Sequence, residues 1–133
     1  SNLLQPVLKK SIIQGGASII GIASMSSFFG IPIVPGYGAG KGGLVQLVKT
    51  LSMKWADDPI RVNAIAAGFI KTRMTEPIVN SEEMSKDIIN RIPLKKFGDP
   101  IDIANAVLFM TSPAASYITG ETLRVDGGYS ISS

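Results

Sequence analysis

The sequence predicts an α/β fold in which helices alternate with the strands of a parallel sheet. Segments with apolar residues at helical spacing alternate with short runs rich in β-branched residues, in the order helix, strand, helix, strand, helix, strand. The strand segments are almost continuously apolar, as is typical of parallel strands covered on both faces. Three strands are few for a doubly wound sheet, so we also expect an N-terminal part of the sheet to be missing.

The first half of the chain predicts two helices around one strand. Apolar residues recur at helical spacing over residues 3–14, and residues 17–23, ASIIGIA, predict a buried strand. Residues 38–56 predict a second, longer helix. Its apolar stripe comprises Leu44, Leu47, Val48, Leu51 and Trp55.

The second half predicts two strands and two further helices. Residues 60–65, IRVNAI, and 121–125, ETLRV, are the strands, and the turn DGG follows the second. One helix begins at Ser81 and has glutamates in its first turn. The other begins at Asp99, has Pro100 as its first helical residue and runs to about residue 111. The residues of the last helix that we expect to face inward are Ala104, Val107 and Leu108.

Composition excludes several classes of function. The 133 residues include no cysteine and no histidine, which excludes zinc sites built on these residues and any histidine-based triad, so we expect no metal site. No run of eighteen apolar residues and no secretory leader is present, so we expect a cytoplasmic protein without a membrane span. The net charge of +3 is scattered along the chain, which does not favour nucleic-acid binding.

The stretch GYGAGKGG, residues 36–43, looks like a phosphate-binding loop but lacks the required spacing. Lys41 follows a glycine, yet Gly42 stands where a P-loop needs serine or threonine, and Pro35 stands where it needs its first glycine. The last spacing of a dinucleotide fingerprint is also absent. We therefore expect these glycines to let the start of a helix approach neighbouring backbone closely.

The same stretch offers an acid/base pair. Tyr37 and Lys41 are four residues apart at a predicted helix start, so they share one helix face. A free tyrosine has a pKa of about 10, and a neighbouring ammonium lowers it by favouring the phenolate. Such a pair supplies acid/base chemistry at neutral pH without histidine. Ser24 ends the preceding strand, where open α/β sheets bind ligands, and Ser26 and Ser27 are the competing candidates.

With these residues in place, the chain resembles the C-terminal half of the short-chain dehydrogenase/reductase family. Ser24, Tyr37 and Lys41 fall on its catalytic serine, tyrosine and lysine. RVNAIAAGFIKT, residues 61–72, is similar to the family segment that covers the nicotinamide, and residues 97–128 are similar to its C-terminal signature. The chain is most similar to the branch of bacterial 3-oxoacyl-carrier-protein reductases and sugar or alcohol dehydrogenases.

The resemblance implies a single Rossmann-type doubly wound domain of which residues 1–133 are the C-terminal half. It implies an oxidoreductase that uses NAD or NADP to interconvert a small-molecule carbonyl and a secondary alcohol. In that reaction Tyr37 transfers a proton, Lys41 also contacts the nicotinamide ribose, and Ser24 holds the substrate oxygen. Gly68, the Ile70 backbone and the Thr72 hydroxyl hold the nicotinamide, whereas helix capping is an alternative role for Thr72. Asn63 is expected to tie the sheet to a nearby loop.

Two further expectations follow from the resemblance. The family's phosphate-binding half is absent from these 133 residues, so we expect the isolated chain to be inactive, and the sequence cannot distinguish NAD from NADP. The family commonly forms homodimers or homotetramers, which implies association through helices 3–14 and 38–56. The alternative is a truncated, non-catalytic member of the family that acts as an assembly module.

Overall fold

The computed structural model describes residues 17–24 and 35–129, except for the side chains of residues 24 and 35–41. Its strands are β1 (Ala17–Ser24), β2 (Ile60–Ala67) and β3 (Thr122–Val125). They form a parallel sheet in the order β1-β2-β3. The α/β prediction is therefore confirmed. The predicted helix over residues 3–14 lies outside the described residues.

The register of the sheet aligns the carboxyl ends of all three strands. β1 pairs with β2 from Ala17 opposite Ile60 to Ser24 opposite Ala67. β2 pairs with β3 over four residues, and the last pair joins Ala67 to Val125. The three strands consequently end side by side at one edge of the sheet.

Two helices cover opposite faces of the sheet. From α1 (Pro35–Trp55), Val48 packs in one buried cluster with Ile60, Val62 and Ala64. Side chains alternate between the faces of a strand, and Ala17 and Ile19 of β1 lie against this same cluster. Ser18, between them, instead approaches α4 (Pro100–Thr111), where its Oγ lies 3.5 Å from the Met110 carbonyl oxygen.

Two shorter helices, α2 (Glu76–Val79) and α3 (Glu82–Arg91), lie between β2 and α4. Ser81 caps α3 by accepting a hydrogen bond from the Met84 amide at 3.3 Å, as the sequence predicts. Asp99 and Asp102 form a capping box at the start of α4, where the Asp102 carboxylate accepts from the Asp99 amide at 2.8 Å. None of the helices in the described part of the chain is long and apolar enough to cross a membrane.

Asn63 ties the sheet to the loop before β3, as expected. Its side chain is fully buried and makes two hydrogen bonds across 55 or more residues of sequence. Nδ2 donates to the Ile118 carbonyl at 3.1 Å, and Oδ1 accepts from the Glu121 amide at 3.0 Å. The amide side chain thereby fixes where the chain enters β3.

The inward-facing residues predicted for α4 are wrong at two positions, and one residue of the apolar stripe on α1 is exposed. On α1, Leu47 is 53% exposed, although it belongs to the predicted apolar stripe. On α4, Ala104 and Leu108 are exposed, whereas Met110 is only 1% exposed. α4 carries apolar residues around most of its circumference, so its pattern cannot indicate which side meets the sheet. The short helix α2 and the 3-10 turn Pro113–Ala115 were not predicted.

Candidate active site

The candidate site lies at the carboxyl edge of the sheet. Open parallel sheets bind ligands just beyond the carboxyl ends of their strands, where neighbouring loops diverge. Ser24 is the last residue of β1 and pairs with Ala67, one residue before Gly68. The fold therefore brings the predicted catalytic serine position next to the segment 68–72, for which the family resemblance implies contact with the nicotinamide.

The start of α1 lies at the same edge. Leu44 packs closely against Gly21, which lies three residues before the end of β1. A methyl group at Gly21 would lie only 2.9 Å from the Leu44 Cδ1 atom. α1 then runs back along the sheet and ends at Trp55, just before β2 begins. Tyr37 and Lys41 belong to its first two turns, so their positions share one helix face beside the carboxyl edge. The side chains of Ser24, Tyr37 and Lys41 lie outside the described residues, and their roles stay predictions.

The segment after β2 is held by backbone hydrogen bonds to two other parts of the chain. Gly68 donates to the Val125 carbonyl at 3.0 Å, which extends the β2–β3 pairing by one residue. Gly98 donates to the Phe69 carbonyl at 2.9 Å, and Lys71 donates to the Gly98 carbonyl at 2.8 Å. The backbone of this segment is therefore fixed before any ligand contacts it.

Gly68 is required by close packing and not by an unusual backbone angle. A Cβ atom at this position would lie 2.6 Å from the Cβ and 2.8 Å from the Cα of Asp126. Real Cβ atoms do not approach backbone so closely, so any side chain at residue 68 would push the ends of β2 and β3 apart.

Thr72 is exposed at the end of this segment, beside a surface cavity of about 310 Å³. Its Oγ1 accepts a hydrogen bond of 3.3 Å from the Thr75 amide, an interaction that closes the turn before α2. The N-cap of α2 is nevertheless Thr75, so the structure does not bear out the alternative in which Thr72 caps a helix. The contact of Thr72 with a carboxamide stays a prediction.

Sequence reasoning missed Thr75. Its side chain is only 2% exposed, and its Oγ1 lies within hydrogen-bonding distance of the Ile70 carbonyl and of the Thr72 amide. The sequence does contain one signal for Thr75: a threonine directly before Glu76-Pro77 is typical of a helix N-cap. That pattern does not predict the contact with residue 70.

A second cavity, of about 260 Å³, lies behind the segment, between Phe69 and the turn after β3. Phe69 packs in a buried cluster with Ile92 and Phe97, and its ring meets Tyr129 edge to face with centroids 5.1 Å apart.

Gly127 and Gly128 form the predicted turn, with φ angles of 64° and 90° that favour glycine.

The structure does not bear out close approach for Gly42 and Gly43. A methyl group at either position would meet no heavy atom within 4 Å in the part of the chain that the structure describes. The other glycines of GYGAGKGG precede residue 41, and their surroundings lie outside the described residues.

Comparisons with known sequences agree with the motifs. Residues 2–130 match the profile of the family described as enoyl-(acyl carrier protein) reductase. The 3-oxoacyl-[acyl-carrier-protein] reductase of Thermotoga maritima is 39% identical over 127 residues, which are 96% of this chain and 51% of that protein. The 2-dehydro-3-deoxy-D-gluconate 5-dehydrogenase of Bacillus subtilis is 42% identical over 116 residues, which are 87% of this chain and 46% of that protein.

Solved structures share the fold. A gluconate 5-dehydrogenase from Burkholderia cenocepacia in complex with NADP and tartrate superposes with a TM-score of 0.83 at 30% identity, over 99% of this chain and 52% of that one. A short-chain type dehydrogenase/reductase from Mycobacterium ulcerans superposes with a TM-score of 0.83 at 31% identity, over 97% of this chain and 47% of that one. The chain spans about half the length of the relatives it matches. Because the family profile covers nearly all of its residues, the chain belongs to the short-chain dehydrogenase/reductase family.

Proposed function

We propose that the protein that carries this chain is an NAD(P)-dependent oxidoreductase that interconverts a small-molecule carbonyl and a secondary alcohol. The observation that supports this most strongly is the convergence at one edge of the sheet. The position of Ser24, the first two turns of α1 and the segment 68–72 all meet there. The residues proposed for proton transfer and those proposed for nicotinamide binding therefore belong to neighbouring parts of the fold.

Tyr37 is the proposed acid and base. In the reducing direction its hydroxyl donates a proton to the substrate oxygen, and in the oxidising direction the phenolate accepts that proton. Lys41, one helical turn along, stabilises the phenolate and lowers the pKa of Tyr37. A decrease of three pH units from the usual value near 10 requires about 4 kcal/mol of preferential stabilisation of the phenolate. The Ser24 hydroxyl holds the substrate oxygen close to Tyr37.

The nicotinamide cofactor, when bound, supplies or accepts the hydride at the substrate carbon. In this chain the Ile70 backbone and the Thr72 hydroxyl are proposed to hold its carboxamide and Lys41 its ribose. Gly68 and Tyr37 are also proposed to contact the cofactor. The fixed backbone of residues 68–72 and the exposed Thr72 hydroxyl suit such a site. NADP is the first cofactor to test, since the related gluconate 5-dehydrogenase was solved with it.

Residues 73–97 are proposed to close over the substrate. This segment carries α2, α3 and three exposed apolar side chains, Met74, Met84 and Leu94. Exposed apolar side chains near a ligand site favour contact with an organic ligand or with a closed conformation of the loop itself. The related proteins act on chemically different molecules, so the substrate is best sought among 3-oxoacyl thioesters and sugar acids.

The experiment is a comparison of Tyr37→Phe with Tyr117→Phe in the protein expressed from its natural start. Tyr117 is fully exposed, so its loss of a hydroxyl is a matched control. Tyr37→Phe should lower turnover by about 10²–10⁴-fold, because it removes the hydroxyl that transfers the proton. Cofactor affinity should change little, because Lys41 and residues 68–72 still hold the nicotinamide end of the cofactor. Lys41→Ala should impair both turnover and cofactor binding. Near-normal turnover of Tyr37→Phe would rule out the acid/base assignment.

A non-catalytic assembly module is the second candidate. α1 exposes Leu47 and Met53, which is 83% exposed, and such side chains suit a surface that associates with another copy. We propose that a homodimer or homotetramer forms through α1 and residues 3–14, and that the protein is cytoplasmic.

Residues 1–133 alone are expected to be inactive. A fluorescence titration with NADPH and NADH separates the candidates, because a module binds neither cofactor.

A further inference from the structure

The polar side chain of Thr75 is buried at the candidate site. The side chain is 2% exposed, and it lies at the start of α2, across from the segment that follows β2. Its Oγ1 lies 2.9 Å from the Ile70 carbonyl, to which it donates, and 2.8 Å from the Thr72 amide, from which it accepts. A single hydroxyl therefore bridges the two residues on either side of Lys71.

The segment is consequently held from two sides. Residues 69 and 71 are hydrogen-bonded to Gly98, through the Phe69 carbonyl and the Lys71 amide. Residues 70 and 72 are hydrogen-bonded to Thr75, through the Ile70 carbonyl and the Thr72 amide. Successive polar groups of an extended segment point in opposite directions, so neither neighbour can replace the other.

The hydroxyl of Thr75 also lies next to that of Thr72. The two oxygens are 3.4 Å apart, and the Thr75 amide donates to the Thr72 Oγ1 at 3.3 Å. Thr75 thus constrains both the backbone at residue 70 and the exposed hydroxyl at residue 72, the two groups assigned to the nicotinamide carboxamide.

We propose that Thr75 is a positioning residue that sets the geometry in which Ile70 and Thr72 hold the nicotinamide ring. This role rests on the proposed function, since it requires a nicotinamide at residues 70–72. Loss of the hydroxyl removes one hydrogen bond from the Ile70 carbonyl and one from the Thr72 amide, and the segment then relaxes away from the ligand-binding geometry.

The test uses the protein expressed from its natural start and separates the nicotinamide end of the cofactor from the rest. Affinities for NADPH and NADH are measured by fluorescence titration, and affinities for ADP-ribose and its 2′-phosphate, which lack the nicotinamide, by calorimetry. Thr75→Val removes the hydroxyl at similar size, and Thr75→Ser keeps it. Thr111→Val is the matched control, because Thr111 is exposed on α4 and its hydroxyl donates only within its own helix.

Thr75→Val is expected to weaken binding of the dinucleotide about tenfold, which corresponds to 1.4 kcal/mol, and to leave the binding of the ADP-ribose ligand unchanged. Thr75→Ser and Thr111→Val should stay within about threefold of the unmodified protein. Dinucleotide binding unchanged in Thr75→Val would overturn the proposal. Equal weakening of both ligands would also overturn it, since this result indicates a structural role only.

Should Thr75→Val fail to fold, Thr75→Cys takes its place, because a thiol is a weak hydrogen-bond donor of similar size. A loss confined to the dinucleotide supports the proposal, and no loss or an unselective loss overturns it. The failure of the proposed function gives a different result: the unmodified protein then binds neither dinucleotide more tightly than the matching ADP-ribose.

Discussion

Replacing Asn63 by alanine tests how the sheet is joined to the loop before β3. The fully buried amide makes two hydrogen bonds, to the Ile118 carbonyl and from the Glu121 amide. Each such bond contributes about 0.5–1.5 kcal/mol net, and a buried group left without a partner costs about 1–3 kcal/mol. The Ile118 carbonyl keeps a second donor, because Arg61 Nη1 lies 3.1 Å from it. Only the Glu121 amide loses its partner, so we expect Asn63→Ala to lower the free energy of unfolding by about 2–4 kcal/mol.

The assay is urea denaturation followed by far-UV circular dichroism, together with hydrogen exchange of the Glu121 amide. Arg61→Ala is the matched control, since Arg61 donates to the same carbonyl from a partly exposed position. The control should lower the free energy of unfolding by less than about 1 kcal/mol and leave the Glu121 amide protected. If Asn63→Ala costs no more than Arg61→Ala, or if Glu121 exchange does not accelerate, the buried amide does not anchor β3 and the reasoning is wrong.

Four further predictions concern stability and association. Gly68→Ala should lower the free energy of unfolding by about 1–3 kcal/mol in a denaturant titration, because its Cβ would lie 2.8 Å from the Asp126 Cα; a stability equal to that of the unmodified protein would contradict this contact. Gly42→Ala should raise stability by about 0.5–1 kcal/mol in the same titration, since alanine favours the helix and meets nothing within 4 Å among the described residues; a decrease would reveal a close neighbour. Ser81→Ala should cost about 0.5–1 kcal/mol through loss of the α3 cap, measured by thermal unfolding, whereas no change would mean that water replaces the cap. Met53→Glu should shift the protein toward monomer in light scattering, with stability changed by less than about 0.5 kcal/mol; an unchanged mass would remove α1 from the interface.

Helix starts and turns could be predicted from the sequence because their causes are local. Ser81 and Asp99 provide side-chain acceptors for amides that begin a helix, and both helices start where these residues predict. The turn at Gly127 and Gly128 needs positive φ angles, which glycine adopts at low cost. The alternation of apolar strands and amphipathic helices likewise predicted a parallel sheet, which the register of β1, β2 and β3 confirms.

The burial of particular helix residues depended on packing. α4 is apolar on several sides, so only its docking on the sheet decides that Met110 is buried and Leu108 exposed. The glycines at the start of α1 were expected to allow close approach, yet Gly42 and Gly43 meet no neighbour in the described part of the chain. A periodic pattern indicates that a helix has an apolar face but not which partner covers each residue.

The sequence by itself determined the order of the strands and longer helices, the starts of α3 and α4 and the family, because each depends on residues that are neighbours along the chain or on a motif with fixed spacing. Only the tertiary structure decided which loop Asn63 holds and that Thr75, together with Gly98, holds the segment after β2. These contacts join backbone groups whose positions are set by the sheet and by the turn into α2. Their partners follow from three-dimensional geometry, which no local pattern of residue types specifies.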